Sequence, residues 1–285
     1  MHLRISQVAR TKKKFNMADA GAPIGIFDSG IGGMTVARAL ADLLPYENMI
    51  YFGDTAHLPY GDKSTAAIQA YCIKICNMLL QQDCKLILIA CNSASAAAFD
   101  LVREYIGTRA KAMNVIDPVV EYIKEPYANK TIGLIGTRQT VQSNVYKKKI
   151  DLLGKGITLK SLATPLLAPM IEEGFFDNSV SISVLGQYLS DPELTDIDAL
   201  ILGCTHYPLL KPEIENYYEG KVRVLDTSEI VANSVKAWLE QHYLINRSGT
   251  GAREFFVSDF TTSFESSTKI FFGSKIRLQH YPLWD

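Results

Sequence analysis

The sequence predicts an α/β protein with two pseudo-symmetric lobes, each a mainly parallel sheet flanked by helices, and an active site in the cleft between them. Three observations lead to this prediction. Segments of strand and helix character alternate along the 285 residues. The same order of motifs occurs twice, once in each half of the chain. Polar motifs follow apolar runs of strand length, which is where ligands bind in open parallel sheets.

The chain is expected to pass from one lobe to the other at two points. Proline disfavours helix in the residue before it, so residues 117–118, Asp-Pro, mark the first crossing. The second crossing is predicted at residues 226–227, after a short strand-like run. The first lobe then comprises residues 22–117 and 227–285, and the second comprises residues 118–226. Residues 1–21 form a basic N-terminal arm, for which we expect disorder.

Each half begins with a buried strand pattern and a polar turn. In the first half, residues 23–27 are mostly apolar and lead into Asp28, Ser29 and a glycine-rich turn at 30–33. In the second half, residues 131–136 lead into Thr137 and a helical pattern. Glycines at such turns allow the backbone to approach an anion closely, although their spacing here is not a dinucleotide-binding fingerprint.

Each half then contains a second strand pattern, which ends at a cysteine. Residues 85–90 lead into Cys91, and residues 198–203 lead into Cys204. Cys91 lies 63 positions after Asp28, and Cys204 lies 67 positions after Thr137. We interpret this pattern as an internal duplication that brings both thiols to one cleft. A cysteine before a helix lies near the positive end of the helix dipole, which favours the reactive thiolate.

Two thiols in equivalent positions suit a racemase better than a covalent catalyst. Racemisation needs a base on one face of a carbon and an acid on the other, and it must run in both directions. Backbone N–H groups, hydroxyls and charged side chains can stabilise the developing negative charge. The prediction therefore includes no cofactor and no metal.

Three further side chains are candidates for assisting the thiols. His206 lies two residues after Cys204. Asp28 is a candidate proton relay, a ligand for the substrate ammonium, or a helix N-cap. Glu172 precedes Cys204 by 32 residues, as Pro59 precedes Cys91 by 32, which places Glu172 or its neighbour Glu173 near the cleft.

Composition excludes several other classes of protein. The formal net charge of −1 gives no support for direct nucleic-acid binding. No apolar run is long enough to cross a bilayer. Five cysteines, an odd number, predict reduced thiols in the cytoplasm rather than a disulfide framework.

At these motifs the sequence resembles bacterial glutamate racemases of the aspartate/glutamate racemase superfamily, over about residues 22–273. The matching segments occur in the family's order. They are Gly-Ile-Phe-Asp-Ser-Gly-Ile-Gly-Gly at 25–33, Tyr-Phe-Gly-Asp-Thr at 51–55 with Pro-Tyr-Gly at 59–61, Ala-Cys-Asn-Ser at 90–93 and Leu-Gly-Cys-Thr-His-Tyr-Pro-Leu-Leu at 202–210.

The resemblance implies interconversion of L- and D-glutamate, which supplies D-glutamate for peptidoglycan. It implies that Cys91 removes the proton from D-glutamate and Cys204 removes it from L-glutamate. Asp28, Glu172 and His206 are then the assisting acids or bases. Ser93 stands where the family usually has threonine, so the hydroxyl is kept. The implied substrate-binding residues are Asp28, Ser29, Pro59, Tyr60, Gly61, Asn92, Ser93, Thr137 and Thr205.

Several alternatives remain open at this level. The chain is compatible with a racemase of another amino acid, such as aspartate, or with a lyase or decarboxylase that uses one cysteine. It is also compatible with a non-catalytic regulatory protein, since some relatives inhibit DNA gyrase. The implied partners are glutamate, a second copy in a homodimer, and a cell-wall precursor that activates some relatives with N-terminal extensions.

Overall fold

A computed structural model describes residues 19–260, 268–274 and 276–284 of the chain. The predicted N-terminal arm lies outside these residues, except for positions 19–21. Within the described ranges, no helix has the length and apolar character needed to span a membrane.

The strands form two sheets. The first sheet contains β1 (Ile24–Asp28), β2 (Met49–Gly53), β3 (Leu86–Ile89), β4 (Lys111–Asn114), β9 (Arg253–Val257) and β10 (Gln279–His280). The second sheet contains β5 (Thr131–Gly136), β6 (Thr158–Ala163), β7 (Ala199–Gly203) and β8 (Arg223–Leu225).

Helices follow most of the strands. They are α1 (Met34–Leu43), α2 (Thr65–Gln81), α3 (Asn92–Ile106), α4 (Ile116–Ile123), α5 (Arg138–Gln142), α6 (Val145–Leu152), α7 (Leu167–Glu172), α8 (Ser179–Leu189), α9 (Lys211–Tyr217) and α10 (Thr227–Gln241).

The order of the strands repeats between the sheets. The first sheet has the order β10-β9-β2-β1-β3-β4, and the second has the order β6-β5-β7-β8. The unit β2-β1-β3-β4 therefore has the same arrangement as β6-β5-β7-β8, and every pairing is parallel. Strands β1, β3 and β7 are buried along their whole length, as expected for sheets covered by helices on both faces. The predicted fold class is confirmed.

The strand register corrects one detail of the internal alignment. In the first sheet Phe27 pairs with Ile89, so the residue that corresponds to Cys91 on the neighbouring strand end is Ser29. In the second sheet Gly136 pairs with Gly203, so Cys204 corresponds to Thr137. Ser29, and not Asp28, is therefore the structural equivalent of Thr137. In the register of the two sheets, Ser29 lies beside Cys91 as Thr137 lies beside Cys204.

The helices at the two predicted crossing points join the halves. The apolar face of α4 packs into the second lobe, where Ile116 and Val119 lie in one cluster with Ile132. Helix α10 follows β8 and packs against α1 of the first lobe. The exact domain limits given by the sequence stay predictions.

Candidate active site

Both cysteines at strand ends line one cavity between the lobes. Its volume is about 40 Å³, little more than the space of one water molecule. Every site residue predicted from the sequence borders this cavity except Asp28, which is completely buried. The lining residues are Ser29, Pro59, Tyr60, Gly61, Cys91, Asn92, Ser93, Thr137, Ala168, Pro169, Glu172, Gly203, Cys204, Thr205 and His206.

A larger cavity of about 560 Å³ lies elsewhere, against α1 and α10. Its lining includes Arg38, Glu229 and Phe271 but neither thiol, so its size does not make it the reacting centre. Chemistry, rather than volume, identifies the smaller cavity as the candidate site.

Cys91 is the N-cap residue of α3. Its Sγ accepts a hydrogen bond from the backbone N–H of Ala94 at 3.5 Å and lies 3.7 Å from Ser29 Oγ. Burial raises the pKa of the Cys91 thiol to about 12, and the nearby negative charge of Asp28 adds to this rise. The N–H of Ala94, at the start of α3, lowers the pKa of Cys91 as its place before a helix predicts, but burial has the larger effect. Cys91 is therefore held as a protonated acid.

Asp28 ends β1 and is completely buried. Its Oδ2 accepts backbone hydrogen bonds from Gly33 at 2.9 Å and Gly30 at 3.3 Å, which fixes the glycine-rich turn. Burial raises the pKa of Asp28, although the charge of His206 and these N–H groups oppose the rise. Its Oδ1 has no hydrogen-bond partner among the described residues. This oxygen is free to hold a proton or to accept a hydrogen bond from a ligand.

Cys204 has a different environment from Cys91. Its Sγ lies 3.6 Å from His206 Nδ1, and His206 Nε2 lies 2.9 Å from Glu172 Oε1. Glu173, the alternative given by the sequence, is exposed and caps the end of α7. The residues after His206 form a short 3₁₀ turn rather than an α-helix, so the partner of this thiol is the imidazole and not a helix dipole.

The charge of His206 is set by its two neighbours. Burial lowers the pKa of His206, but the hydrogen bonds and negative charges of Cys204 and Glu172 outweigh it and raise the pKa well above its ordinary value. The imidazolium is thus favoured between the thiol and the carboxylate. A protonated His206 places a positive charge 3.6 Å from Cys204 Sγ, on the side opposite Glu172.

A glycine allows His206 to approach the first lobe. A Cβ atom at Gly32 would lie 2.3 Å from His206 Cε1 and 2.7 Å from Thr205 Oγ1. The Thr35 hydroxyl donates to the carbonyl oxygen of Thr205 at 3.0 Å, which holds the two lobes together beside this contact. The ring of Phe271 packs edge-on against His206.

Neutral polar groups complete the cavity wall. Ser93 Oγ and Thr137 Oγ1, from opposite lobes, are 2.8 Å apart. Asn92 Oδ1 accepts a hydrogen bond from the Tyr146 hydroxyl at 2.8 Å, while Asn92 Nδ2 is buried and has no partner among the described residues. The site therefore offers several hydroxyl and amide donors to a bound carboxylate.

Sequence reasoning missed some of these residues. Ala168 and Pro169 line the cavity and lie on α7 four and three residues before Glu172, a spacing that could have identified them. For Tyr146 and Tyr51, no pattern in the neighbouring sequence indicated a place near the site. The Tyr51 hydroxyl donates a hydrogen bond to the carbonyl oxygen of Gly30 at 2.8 Å and so stabilises the glycine-rich turn after β1.

Comparisons with known proteins agree with this chemistry. Residues 35–235 match the Asp/Glu/Hydantoin racemase family. The chain is 39% identical to "Glutamate racemase 3" of Caldanaerobacter subterraneus over 255 residues, which covers 89% of this chain and 92% of the relative. It is similar to the crystal structure of glutamate racemase from Francisella tularensis in complex with D-glutamate (TM-score 0.86, 36% identity, 93% of this chain and 99% of that one). It is also similar to Escherichia coli glutamate racemase in complex with L-glutamate and the activator UDP-MurNAc-ala (TM-score 0.71, 26% identity, 87% of this chain and 95% of that one).

Proposed function

The chain belongs to the Asp/Glu/Hydantoin racemase family, and we propose that it interconverts L- and D-glutamate by proton transfer at Cα between two thiols, without a cofactor. The observation that supports this mechanism is the position of Cys91 and Cys204, one from each lobe, on the wall of one cavity. Such an enzyme is an isomerase, and its two thiols exchange the roles of acid and base when the direction reverses.

In the direction from L- to D-glutamate, Cys204 acts as the base. As a thiolate beside protonated His206, it removes the Cα proton and becomes a thiol. Cys91, which burial keeps protonated, donates its proton to the opposite face of the same carbon. One C–H bond breaks and another forms, and the electron pair left on Cα between these steps is delocalised into the α-carboxylate.

In the reverse direction, Cys91 must first lose its proton. Asp28, whose charge acts on the Cys91 thiol and whose Oδ1 has no partner among the described residues, is the candidate relay for that proton, since the pKa of Asp28 is raised by burial. His206, held by Glu172, first passes its proton to the Cys204 thiolate. Cys91 then removes the Cα proton, Cys204 donates its proton to the opposite face, and the proton held by Asp28 returns to His206 through solvent. The two halves of the site are therefore chemically different, although the two thiols have equivalent places in the fold.

The polar wall is suited to the carboxylates of glutamate. We assign the hydroxyls of Ser29, Ser93, Thr137 and Thr205 and the free Nδ2 of Asn92 as donors to the substrate carboxylates. Asp28 is the acceptor for the ammonium group. Glutamate is much larger than the cavity of about 40 Å³, so the lobes must separate to admit it.

The direct test is exchange of the Cα hydrogen with solvent deuterium, measured with L- and D-glutamate and with both enantiomers of aspartate. We expect exchange and racemisation with glutamate. Exchange with aspartate alone would assign the chain to the other substrate. Glutamate binding without any exchange would support the non-catalytic alternative.

Cys91→Ser and Cys204→Ser separate a two-thiol racemase from a one-cysteine enzyme. Each variant should lose net racemisation, because a weakly acidic hydroxyl cannot replace the missing acid or base. Cys84→Ser is the matched control, because Cys84 is a free, buried thiol away from the cavity. Full activity in either cavity variant would contradict the mechanism.

We further propose that the product serves peptidoglycan synthesis in the bacterial cytoplasm. All five cysteines are free, which is consistent with a reducing compartment. The test is complementation of a bacterium that lacks glutamate racemase and requires external D-glutamate. Growth without D-glutamate is expected with the native chain and not with Cys204→Ser.

Two partner proposals follow from the family. The similarity to the E. coli enzyme supports activation by a nucleotide-linked cell-wall precursor, and an unchanged rate on addition of UDP-MurNAc-ala would exclude it. A homodimer is supported by large apolar side chains that stay exposed on the second lobe, and a monomer in sedimentation analysis would exclude it. These side chains are Leu166, Phe175, Val180 and Ile182.

A further inference from the structure

A second buried carboxylate, Asp54, lies just after β2 and has no part in the proton transfers above. It accepts hydrogen bonds from four side chains, two from the segment that directly follows it and two from positions 204 and 230 residues away. The donors are Tyr60 Oη at 2.6 Å, Trp284 Nε1 at 2.7 Å, Ser258 Oγ at 2.8 Å and His57 Nδ1 at 3.0 Å. A carboxylate has about four lone-pair sites, so this one is fully used.

One of these donors belongs to the wall of the active site. Tyr60 lies in the segment Pro59, Tyr60, Gly61 that borders the cavity, and its phenol is almost completely buried. Burial and the nearby charge of Asp54 raise the pKa of Tyr60 well above its ordinary value, so the phenol remains a donor. Asp54 therefore fixes the position of Tyr60, and with it residues 59–61, which we call the substrate segment.

Another donor comes from the end of the chain. The C-terminal tail is attached to the first sheet by the N–H of Tyr281, which donates to the carbonyl oxygen of Val257 at 2.9 Å. Three residues further, the Trp284 ring packs edge-on against His57, with ring centroids 4.5 Å apart, and Lys74 Nζ lies 4.6 Å above it. These contacts fix the indole N–H on Asp54.

The substrate segment has little room to move. A Cβ atom at Gly61 would lie 2.9 Å from Thr137 Cβ, so the segment is packed directly against the opposite lobe. Because Tyr60 lies on the wall of the cavity, a small displacement of its ring changes the shape of the substrate site. The position of Asp54 is therefore coupled to the fit of the ligand.

We propose that Asp54 and Trp284 are positioning residues of the glutamate site, through which the C-terminal tail sets the geometry of the segment 59–61. This inference rests on the proposed glutamate racemase function for its kinetic consequence. Tail, carboxylate and phenol form one chain of hydrogen bonds from Trp284 through Asp54 to Tyr60. Substrate binding, rather than proton transfer, is the step that this chain of hydrogen bonds controls, because the hydrogen-bond contacts of Cys91 and Cys204 are with Ser29, Ala94 and His206.

The test begins with Trp284→Phe, which keeps an aromatic ring and removes only the N–H donor. We expect KM for both enantiomers of glutamate to rise about tenfold, the equivalent of one hydrogen bond to a charged group, with kcat changed less than about twofold. Trp238→Phe is the matched control, because Trp238 lies on α10 and stacks on His242, away from the cavity. A KM for Trp284→Phe within twofold of the native value, or an equal rise in Trp238→Phe, would overturn the proposal.

A double-mutant cycle with Tyr60→Phe distinguishes a connected chain from two separate effects. If Trp284 acts through Asp54 on Tyr60, the double variant should have nearly the same KM as Tyr60→Phe alone. Effects on KM that multiply would contradict the connection.

Hydrogen–deuterium exchange tests the same chain without substrate. Trp284→Phe should increase exchange in a peptide covering residues 55–63 and leave a peptide covering β5 unchanged. Unaltered exchange at 55–63 would reject the positioning role even if the native chain did not racemise glutamate. A native chain with no racemisation but with the expected exchange would instead reject only the proposed function.

Discussion

The contact between Glu172 and His206 gives the sharpest prediction about the catalytic chemistry. Glu172→Gln removes the negative charge and keeps the shape of the side chain. The His206 side chain is 6% exposed and that of Glu172 is 25% exposed, so water replaces little of the lost interaction. A hydrogen bond to a charged group contributes about 1.5–3 kcal/mol. We therefore expect kcat/KM at neutral pH to fall about ten- to a hundredfold.

The pH dependence of kcat/KM in Glu172→Gln should change in a direction that follows from the pKa of His206. The pKa of His206 is raised in the native protein, with Cys204 and Glu172 outweighing the opposing effect of burial, so the imidazolium persists below that raised pKa and is lost as the pH rises through it. Without the carboxylate, the pKa of His206 must fall. The alkaline limb of the kcat/KM profile should therefore move to lower pH in Glu172→Gln.

Glu173→Gln is the matched control, because the neighbouring carboxylate is exposed and makes no contact with His206. Racemisation is followed by circular dichroism in both directions. Since enantiomers have equal free energies, kcat/KM must fall by the same factor for L- and D-glutamate. An alkaline limb that does not move, or an equal loss in Glu173→Gln, would refute the assignment of Glu172 to His206.

Three further substitutions test other contacts. Gly32→Ala places a methyl group 2.3 Å from the present position of His206 Cε1, so kcat should fall at least about tenfold when racemisation is assayed. Tyr146→Phe leaves the buried Asn92 Oδ1 without its donor, which should raise KM for glutamate and lower the free energy of unfolding by about 1–3 kcal/mol in urea. Lys85→Met leaves a buried carboxylate without its cation, which should cost about 3–5 kcal/mol in the same urea experiment while kcat per folded molecule stays unchanged.

Two controls accompany these variants. Gly186→Ala adds a methyl group in α8 where no atom lies within 4 Å, and it should leave kcat unchanged and raise the free energy of unfolding by about 0.5–1 kcal/mol. Lys147→Met removes an exposed i,i+4 ion pair and should cost at most about 0.5 kcal/mol. A loss as large in Lys147→Met as in Lys85→Met would contradict the importance of burial.

The fold and the composition of the cavity wall were accessible from sequence. Apolar runs of strand length, each ending in a polar turn, predict parallel strands whose carboxyl ends carry the functional groups. That pattern is local, and its repetition in two halves indicated where Cys91 and Cys204 lie relative to each other. The count of residues before each cysteine also led to Glu172, although it could not separate Glu172 from Glu173.

The chemical state of the site depends on packing. Cys91 and Cys204 have similar sequence surroundings, yet one thiol lies beside a buried carboxylate and the other beside an imidazole held by Glu172. Desolvation and charges from distant segments set these protonation states, and neither can be calculated from neighbours in the sequence.

Partners far apart in the chain show the same limit. Trp284 reaches Asp54 across 230 positions, and Tyr146 reaches Asn92 across 54. Local hydrophobic periodicity was enough to predict the strands β1, β3, β5 and β7 and the edge of the sheets that carries the site, because it reflects burial of each element on its own. Which buried donor meets which acceptor was fixed only when the elements packed together, because a hydrogen bond depends on distances of a few tenths of an ångström.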